Sequence, residues 1–431
     1  MTGATAWWMA VDGPRVWAAL DASSGRITEL SRRRLGELLR AAASTPFYRA
    51  RLRAAGFEPR DHSLTRAPEA VLAALAPVTK AELRAAGPEV LAGRAVRREW
   101  RWSQSSGSTG EPFRVYYGPR AWATLKHLVK LRARHACGVR LRDRVALLDA
   151  VPPGGAAAGR ARRDRWVRVS VLQPAAAVAD ALVAFEPGVV YGLPSALLEA
   201  LAVLGPRAAR LGVRAVFTSG ELLARPVREA LAAGFGARVY DVYGTSETKE
   251  IAWECPLGGM HVNADVVHLE AVADDGRPVP PGVEGHLLAT LLVNHAMPLL
   301  RYRTGDRGAL HPGRCACGRA QPLLGVVTGR AADTLEFAGG QRISPYALTC
   351  ALEAVDELLR YQVTQLDLTR VRVRAIAASA ADRPRVADRV QGALRAGVGS
   401  FLDAEVEFVD QLPTGPRAKF RVVQPLAPAV P

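Results

Sequence analysis

The chain has 431 residues, 49% hydrophobic and 23% charged, enough to bury a large core and to divide into at least two domains. No run of about eighteen apolar residues suggests a membrane span, and the tryptophan-bearing start (Trp7, Trp8, Trp17) has no basic segment leading into an apolar stretch and cleavage site, so a cytoplasmic protein that binds no membrane is expected. The formal net charge of +16 would raise nucleic-acid binding, but the excess is spread along the chain and is almost all arginine, lysine standing only at 80, 126, 130, 249 and 419; that is the bias of a high-GC coding sequence, and no nucleic-acid partner is expected.

Apolar and small positions between 31 and 60 recur at helical spacing. They predict a helix ending in Thr45-Pro46-Phe47-Tyr48-Arg49 and a shorter one through Leu52 and Ala55. Pro77-Val78-Thr79-Lys80 opens another helix with Thr79 as its cap.

Next comes Ser103-Gln104-Ser105-Ser106-Gly107-Ser108-Thr109-Gly110-Glu111-Pro112, which packs hydroxyls and glycines into one loop. Glycines let backbone N–H groups approach an anion closely, and Ser and Thr hydroxyls rotate to meet its oxygens. The loop is therefore a candidate phosphate cradle. It is not a Walker A loop, because no Gly-Lys-Ser/Thr closes it and Glu111 stands where a lysine would be needed.

From 113 to 295 strand-like runs (145–148, 189–191, 213–218, 237–243, 287–293) alternate with helical ones (196–204, 227–233). This alternation predicts an α/β fold with a mixed sheet covered by helices, and ligands sit at strand ends in such sheets. Thr218-Ser219-Gly220-Glu221 and Tyr243-Gly244-Thr245-Ser246-Glu247 fall at those ends. The Pro/Gly stretch 151–156 is a candidate lid or an insertion. It runs into Arg160, Arg162, Arg163, Arg165 and Arg168, either a solvated face or a dock for an acidic partner. The tail from about 331 reads as strand, helix 346–359, strand 371–375, helix 385–396 and strand 406–408, a small α+β domain ending in a Pro/Gly loop with Lys419.

Cys255, His261, Cys315 and Cys317 form a second constellation. Three thiols and one imidazole make a tetrahedral zinc set, although neither spacing is that of a standard zinc finger. A cytosolic chain disfavours the alternative, a disulfide. Cys137 and Cys350 lie on apolar helical faces and are expected to be core residues.

The Ser/Gly loop, Tyr243-Gly244-Thr245-Ser246-Glu247, Tyr302-Arg303-Thr304-Gly305-Asp306, Gly329-Arg330 and the Lys419 loop, in this order and rough spacing, resemble the core motifs of adenylate-forming enzymes. Within that superfamily the chain is most similar to the phenylacetate-CoA ligase-like branch, with its CapK-like and coenzyme F390 synthetase-like members. Related CapK-like sequences carry similar cysteines, which the resemblance ties to a structural Zn2+.

The resemblance implies the adenylate-forming fold: a large N-terminal mixed-sheet domain (1–329) and a small mobile α+β C-terminal domain (330–431). It implies ATP-dependent activation of a carboxylic acid as acyl-AMP with release of pyrophosphate, then acyl transfer to CoA or another nucleophile. Ser105, Ser106, Gly107, Ser108, Thr109 and Gly110 would hold phosphates. Glu247 would hold Mg2+, Tyr243 and Gly244 would lie near adenine, and Thr245 near the α-phosphate. Asp306 would take the ribose hydroxyls, Arg330 would act near ribose and phosphates, and Lys419 would serve the adenylation step. The expected acyl pocket draws on Tyr191, Phe217, Ser219, Gly220 and Tyr240, whose rings and small residues suit an aryl acid. Ala332, with Asp333 after it, departs from the family's hinge aspartate. An amide- or ester-forming ligase, and transfer of AMP itself to a hydroxyl, stay open as rival activities. Neither the acid, the acceptor nor the oligomeric state is fixed, a homodimer being one option.

Overall fold

The structure is a computed structural model that describes residues 3–105, 113–140, 142–149, 165–330, 334–343, 345–377, 382–412 and 420–426. Contacts divide the chain into two units, Met1–Gly138 with Val242–Val327, and Val139–Asp241 with Thr328–Pro431. The fold is α/β with a mixed sheet, as the alternation of strand-like and helical runs predicts.

In the first unit, the helix Ser24–Ala43 starts where the Ser23 side chain accepts the Arg26 N–H, and it buries Ile27, Leu35, Leu38, Leu39 and Ala42. These positions recur three and four residues apart, the apolar stripe that a helix turns toward a core. Thr45 caps the next helix, Pro46–Ala54, and Pro46 occupies its first turn, where a missing N–H costs nothing. Lys80–Ala86 opens with a reciprocal capping box between Thr79 and Glu82. A helix over Gly3–Ala18 was not expected, because Gly13 and Pro14 inside it are breaker residues.

The strands of this unit form an antiparallel ladder in which Val267–Val272, Gly285–Leu291 and Tyr302–His311 are successive neighbours, and Leu323–Arg330 pairs Met260–Val262, which pairs Lys249–Glu254. Several of these strands were not foreseen. Glycines and charges interrupt them, as in Tyr302–His311, so they lack an apolar run or a clean alternation. A separate two-stranded hairpin, Arg101–Ser105 with Phe113–Tyr117, pairs Ser105 with Phe113 and so brings together the two ends of the Ser/Gly stretch.

The second unit carries the parallel ladder of Ala215–Ser219, Val189–Gly192, Val145–Asp149 and Trp166–Ser170. Parallel strands covered on both faces become near-continuous apolar runs, which is why 145–148, 189–191 and 213–218 were legible. The strand Arg238–Thr245 begins in this unit and ends in the first. The tail builds a four-stranded sheet in the order Asp403–Phe408, Arg370–Ala377, Leu358–Gln365, Val423–Gln424, with helices Pro345–Leu352 and Arg383–Gly397 and a core including Leu348, Val363, Val373 and Val390. The helix expected over 346–359 ends at Leu352: Leu358 and Leu359 instead begin a strand, where they point to opposite faces, buried and exposed.

Candidate active site

The turn between Arg238–Thr245 and Lys249–Glu254 organises one cluster in the first unit. Thr245 pairs with Lys249 and Gly244 with Glu250, with a register shift between Tyr243 and Gly244. A Cβ on Gly244 would sit 2.1 Å from the Lys249 carbonyl oxygen, so only glycine fits. Lys249 has φ +65°, the left-handed region that a side chain makes costly. Irregular ladders of this kind re-aim side chains, and here Glu247 and Lys249 are both buried.

The Glu247 carboxylate pairs with the Lys80 ammonium at 2.8 Å and accepts the Tyr302 hydroxyl at 3.2 Å. Burial pushes its carboxyl upward in pKa, but Lys80, by charge and by hydrogen bond, outweighs burial and holds it below the usual carboxylate range. The Glu247 backbone carbonyl accepts the Tyr117 hydroxyl at 2.6 Å. Thr245 exchanges hydrogen bonds with Thr248, hydroxyl to hydroxyl at 3.0 Å and from the Thr248 N–H at 3.1 Å. One ionised, nearly dry carboxylate with a cation already against it suits a hard divalent ion bridging phosphates.

Tyr243 donates its hydroxyl to Asp306 at 2.9 Å. The fold thus joins two residues sixty-three positions apart, the ones that the resemblance assigns to adenine and ribose. Gly305, at φ +88°, lets the strand turn so that the Asp306 N–H reaches the Thr304 hydroxyl at 3.1 Å.

Sequence reading missed Lys80 as more than a helix start, and it missed Lys249 altogether. The Lys249 ammonium bonds the Ser103 hydroxyl and the Ser246 carbonyl oxygen, and it lies over the rings of Tyr117 (5.0 Å) and Trp122 (5.6 Å). Burial first, then the charges of Lys126 and Lys130, push it down to about 7. The overlooked signal was the rarity of the residue: Lys80, Lys126, Lys130 and Lys249 are four of the chain's five lysines, and all act on this one cluster.

In the second unit, Tyr191, Phe217 and Tyr240 stack in series, with centroids 6.3 and 5.2 Å apart and interplanar angles of 20° and 27°. All three are buried, Ser219 ends the strand Ala215–Ser219, and Gly220 follows at φ +88°. Thr218 donates to Asp241 at 2.8 Å. Glu221 accepts hydrogen bonds from the Ser195 N–H (3.0 Å), the Ser195 hydroxyl (2.9 Å) and the Phe420 N–H (2.7 Å). Burial still raises its carboxyl above the ordinary range.

Cys255, His261, Cys315 and Cys317 converge, their ligand atoms all within 4.8 Å of one another. The Cys255 and Cys315 sulfurs are 3.6 Å apart, far beyond a disulfide bond, and the Cys317 sulfur is 3.2 Å from His261 Nε2. Zn–S bonds of about 2.3 Å in tetrahedral geometry would set sulfurs about 3.8 Å apart, so the donor set fits zinc. Gly259 is required beside it, because a Cβ there would meet the Cys315 sulfur at 2.5 Å. Cys137 is buried, with its sulfur 3.3 Å from the Glu254 carbonyl.

Ser106, Gly107, Ser108, Thr109, Gly110, Lys419, Ala332 and Asp333 lie outside the described residues, as do 151–156, Arg160, Arg162 and Arg163; of Ser105, Arg330 and Cys350 only the backbone is described. Arg168 lies 3.8 Å from Asp149.

No protein-family model matches the chain. Among curated proteins it is 28% identical over 337 residues to the phenylacetate-coenzyme A ligase of Thermus thermophilus, covering 74% of this chain and 73% of that one. It is 28% identical over 332 residues to the phenylacetate-coenzyme A ligase of Escherichia coli, covering 74% of each. Among solved structures it is similar to 2-hydroxyisobutyryl-CoA ligase in the postadenylation state in complex with 2-HIB-AMP, with a TM-score of 0.79, 20% identity, and coverage of 95% of this chain and 91% of that one. Over 74% of its length the chain is thus similar in sequence to phenylacetate-coenzyme A ligases, and it shares its fold with 2-hydroxyisobutyryl-CoA ligase.

Proposed function

We propose that this protein activates a carboxylic acid as its acyl adenylate, releasing pyrophosphate, and then passes the acyl group to CoA or another nucleophile. The supporting observation is the pairing of a buried, ionised Glu247 with the Tyr243–Asp306 contact in one unit of a chain related to phenylacetate-coenzyme A ligases. Mg2+, when bound, would supply positive charge that offsets the negative charge of the nucleotide phosphates. Glu247 would hold it, displacing the Lys80 ammonium from its carboxylate.

The chain's own contribution is to position groups and stabilise charge. Asp306 accepts two sugar hydroxyls, and Tyr243, tethered to it, presents its ring at the base. Thr245 and the loop 105–110 donate toward the phosphates, and an Arg330 fork suits phosphate oxygens. The Lys419 ammonium meets charge as the carboxylate approaches the α-phosphate. We further infer that residues 330–431 move as a unit between the two half-reactions, that Cys255, His261, Cys315 and Cys317 hold a structural zinc ion, and that the protein works in the cytoplasm. The stacked Tyr191, Phe217 and Tyr240, with Ser219 and Gly220 beside them in sequence, favour a planar aryl acid.

The test is pyrophosphate release over a panel of benzoates, phenylacetates and aliphatic acids, followed by mass identification of products after adding CoA or amines. An aryl acid should be preferred and its acyl group transferred, and Lys419→Ala should lose ~100-fold or more in rate with ATP binding kept. Preference for a long fatty acid defeats the aryl assignment. A product retaining AMP after the acceptor is added replaces acyl transfer with nucleotidyl transfer.

A further inference from the structure

Two helix ends meet in the second unit and exchange charged caps. The helix Arg225–Phe235 starts after Ala224, which has no side-chain acceptor to offer, and its first turn, Arg225-Pro226-Val227-Arg228, holds no acid. Its first N–H groups therefore depend on an acceptor from elsewhere. That acceptor is Glu353, whose carboxylate takes the Arg225 N–H at 2.7 Å from 128 positions away. Glu353 follows the helix Pro345–Leu352, whose last turn, Thr349-Cys350-Ala351-Leu352, holds no cation. Arg225 makes up that deficit in return: its guanidinium donates to the Glu353 carbonyl at 2.6 Å and stands 3.6 Å from Asp356. A carboxylate at the positive end of one helix and a guanidinium at the negative end of the other are each favourable, and one pair of residues supplies both.

Fold stability alone does not call for this arrangement. A Ser, Asp or Thr at position 224 would cap the helix locally, with no need to order a distant segment. The Arg225 side chain is 52% exposed and that of Asp356 80%, and ion pairs so placed contribute little to a fold. Contacts of this kind part and re-form in water at small cost, which suits a joint that opens. What they join is also specific. Glu353 and Asp356 belong to the tail, between the helix Pro345–Leu352 and the strand Leu358–Gln365, while Arg225 belongs to the segment that carries the parallel ladder. Two further ties link the same parts: Arg360 of that strand lies 3.5 Å from Glu199, and Phe420 donates its N–H to Glu221 at 2.7 Å.

We propose that Arg225 and Glu353 form a clasp that holds the tail against the ladder segment in the arrangement used for adenylation, and that this clasp opens for acyl transfer. Both are positioning residues, acting by fixing where the tail stands rather than by contact with substrate. The choice of adenylation follows from Phe420, which the same arrangement ties to Glu221 and which comes directly after the lysine proposed to serve that step. The clasp rests on the reading that the chain forms an acyl adenylate and that its tail moves between the half-reactions.

The experiment measures the two half-reactions separately in wild type, Glu353→Ala, Arg225→Ala and Glu353→Gln, using phenylacetate and CoA, or the acid and acceptor that the panel prefers. Pyrophosphate exchange into ATP reads adenylation, and single-turnover transfer from the synthetic acyl adenylate reads the second step. Deuterium uptake at the Arg225 amide is followed alongside. Each Ala variant should slow adenylation roughly fivefold or more and leave transfer unchanged or faster, because loss of the clasp shifts the population toward the open arrangement. Glu353→Gln, which keeps an acceptor for the N–H, should recover part of the loss. The Arg225 amide should exchange faster in Glu353→Ala than in wild type, with Tm lowered by no more than about 3 °C. Slowing of transfer as much as adenylation, or more, would assign the pair to the fold and overturn the proposal. Unchanged rates, or an unchanged Arg225 amide, would overturn it as well. Failure of the wild type to exchange pyrophosphate with any acid of the panel would instead defeat the underlying reading.

Discussion

The Glu221 carboxylate accepts the backbone N–H of Phe420 at 2.7 Å, one residue beyond Lys419. The same carboxylate holds Ser195 through both its N–H and its hydroxyl, and Arg360 lies over the Phe420 ring at 5.0 Å. A half-buried acceptor with three donors fixes Phe420, the residue that follows the lysine proposed to serve adenylation.

Glu221 is therefore expected to act as a positioning residue. Glu221→Ala leaves Ser195 and Phe420 without their acceptor and should lower the rate of adenylation roughly tenfold or more, because small misplacements of a catalytic group are costly. KM for ATP should change little. Glu221→Gln keeps an acceptor for Phe420 and should retain most of the activity, in keeping with a carboxyl that burial already biases toward its neutral form. Equal loss in both variants, or a loss expressed only as ATP affinity, would refute the positioning role.

One zinc ion per chain is expected at Cys255, His261, Cys315 and Cys317. Thiolate sites couple metal binding to local folding, with apparent binding energies on the order of 10 kcal/mol at neutral pH. Chelation should lower thermal stability before it affects turnover, and Cys317→Ala should do the same without chelator. Metal analysis of protein purified without chelators that returns no zinc would end the assignment.

Asp265 is expected to be a stability residue. It is 2% exposed and pairs with the fully enclosed Arg132 at 2.9 Å and with Arg34 at 3.3 Å, while Arg132 also bonds Asn263 at 2.7 Å and the Val16 carbonyl at 3.0 Å. Asp265→Ala leaves two cations buried without a counter-charge and should cost about 3–5 kcal/mol in denaturant unfolding. A change below about 1 kcal/mol would show that the arginines find other partners.

His127 supplies a pH dependence. Burial, then Lys126 and Lys130, push its imidazole down to about 4 from an ordinary 6.5. The unfolded chain binds the proton first, so this group's contribution is present above pH 6.5 and is lost as pH falls from there toward 4. Between about pH 7 and about pH 5 the wild type should lose more Tm than His127→Gln, the other titrations being common to both. Parallel losses would show that His127 is not the group responsible.

Composition, buried strand runs and motif order were enough to predict the α/β class, the resemblance to phenylacetate-coenzyme A ligases and the convergence of the cysteine set, and to single out Glu247 and Asp306. Each of these rests on short-range pattern: apolar runs for covered parallel strands, Gly and Pro for turns, rare residue types for chemistry. Lys249 and Lys80 were not legible, because a lone lysine in a polar stretch gives no sign of whether it is solvated. Only the hairpin register that buries Glu247 through Glu250, and the helix start that brings the half-buried Lys80 to Glu247, decided that these two amines stand in one cluster where charge matters. The same holds for Glu221 and Phe420, which are 199 positions apart. No periodicity reports a contact of that range, since tertiary packing sets it, and with it the pKa shifts and ion pairs of the site.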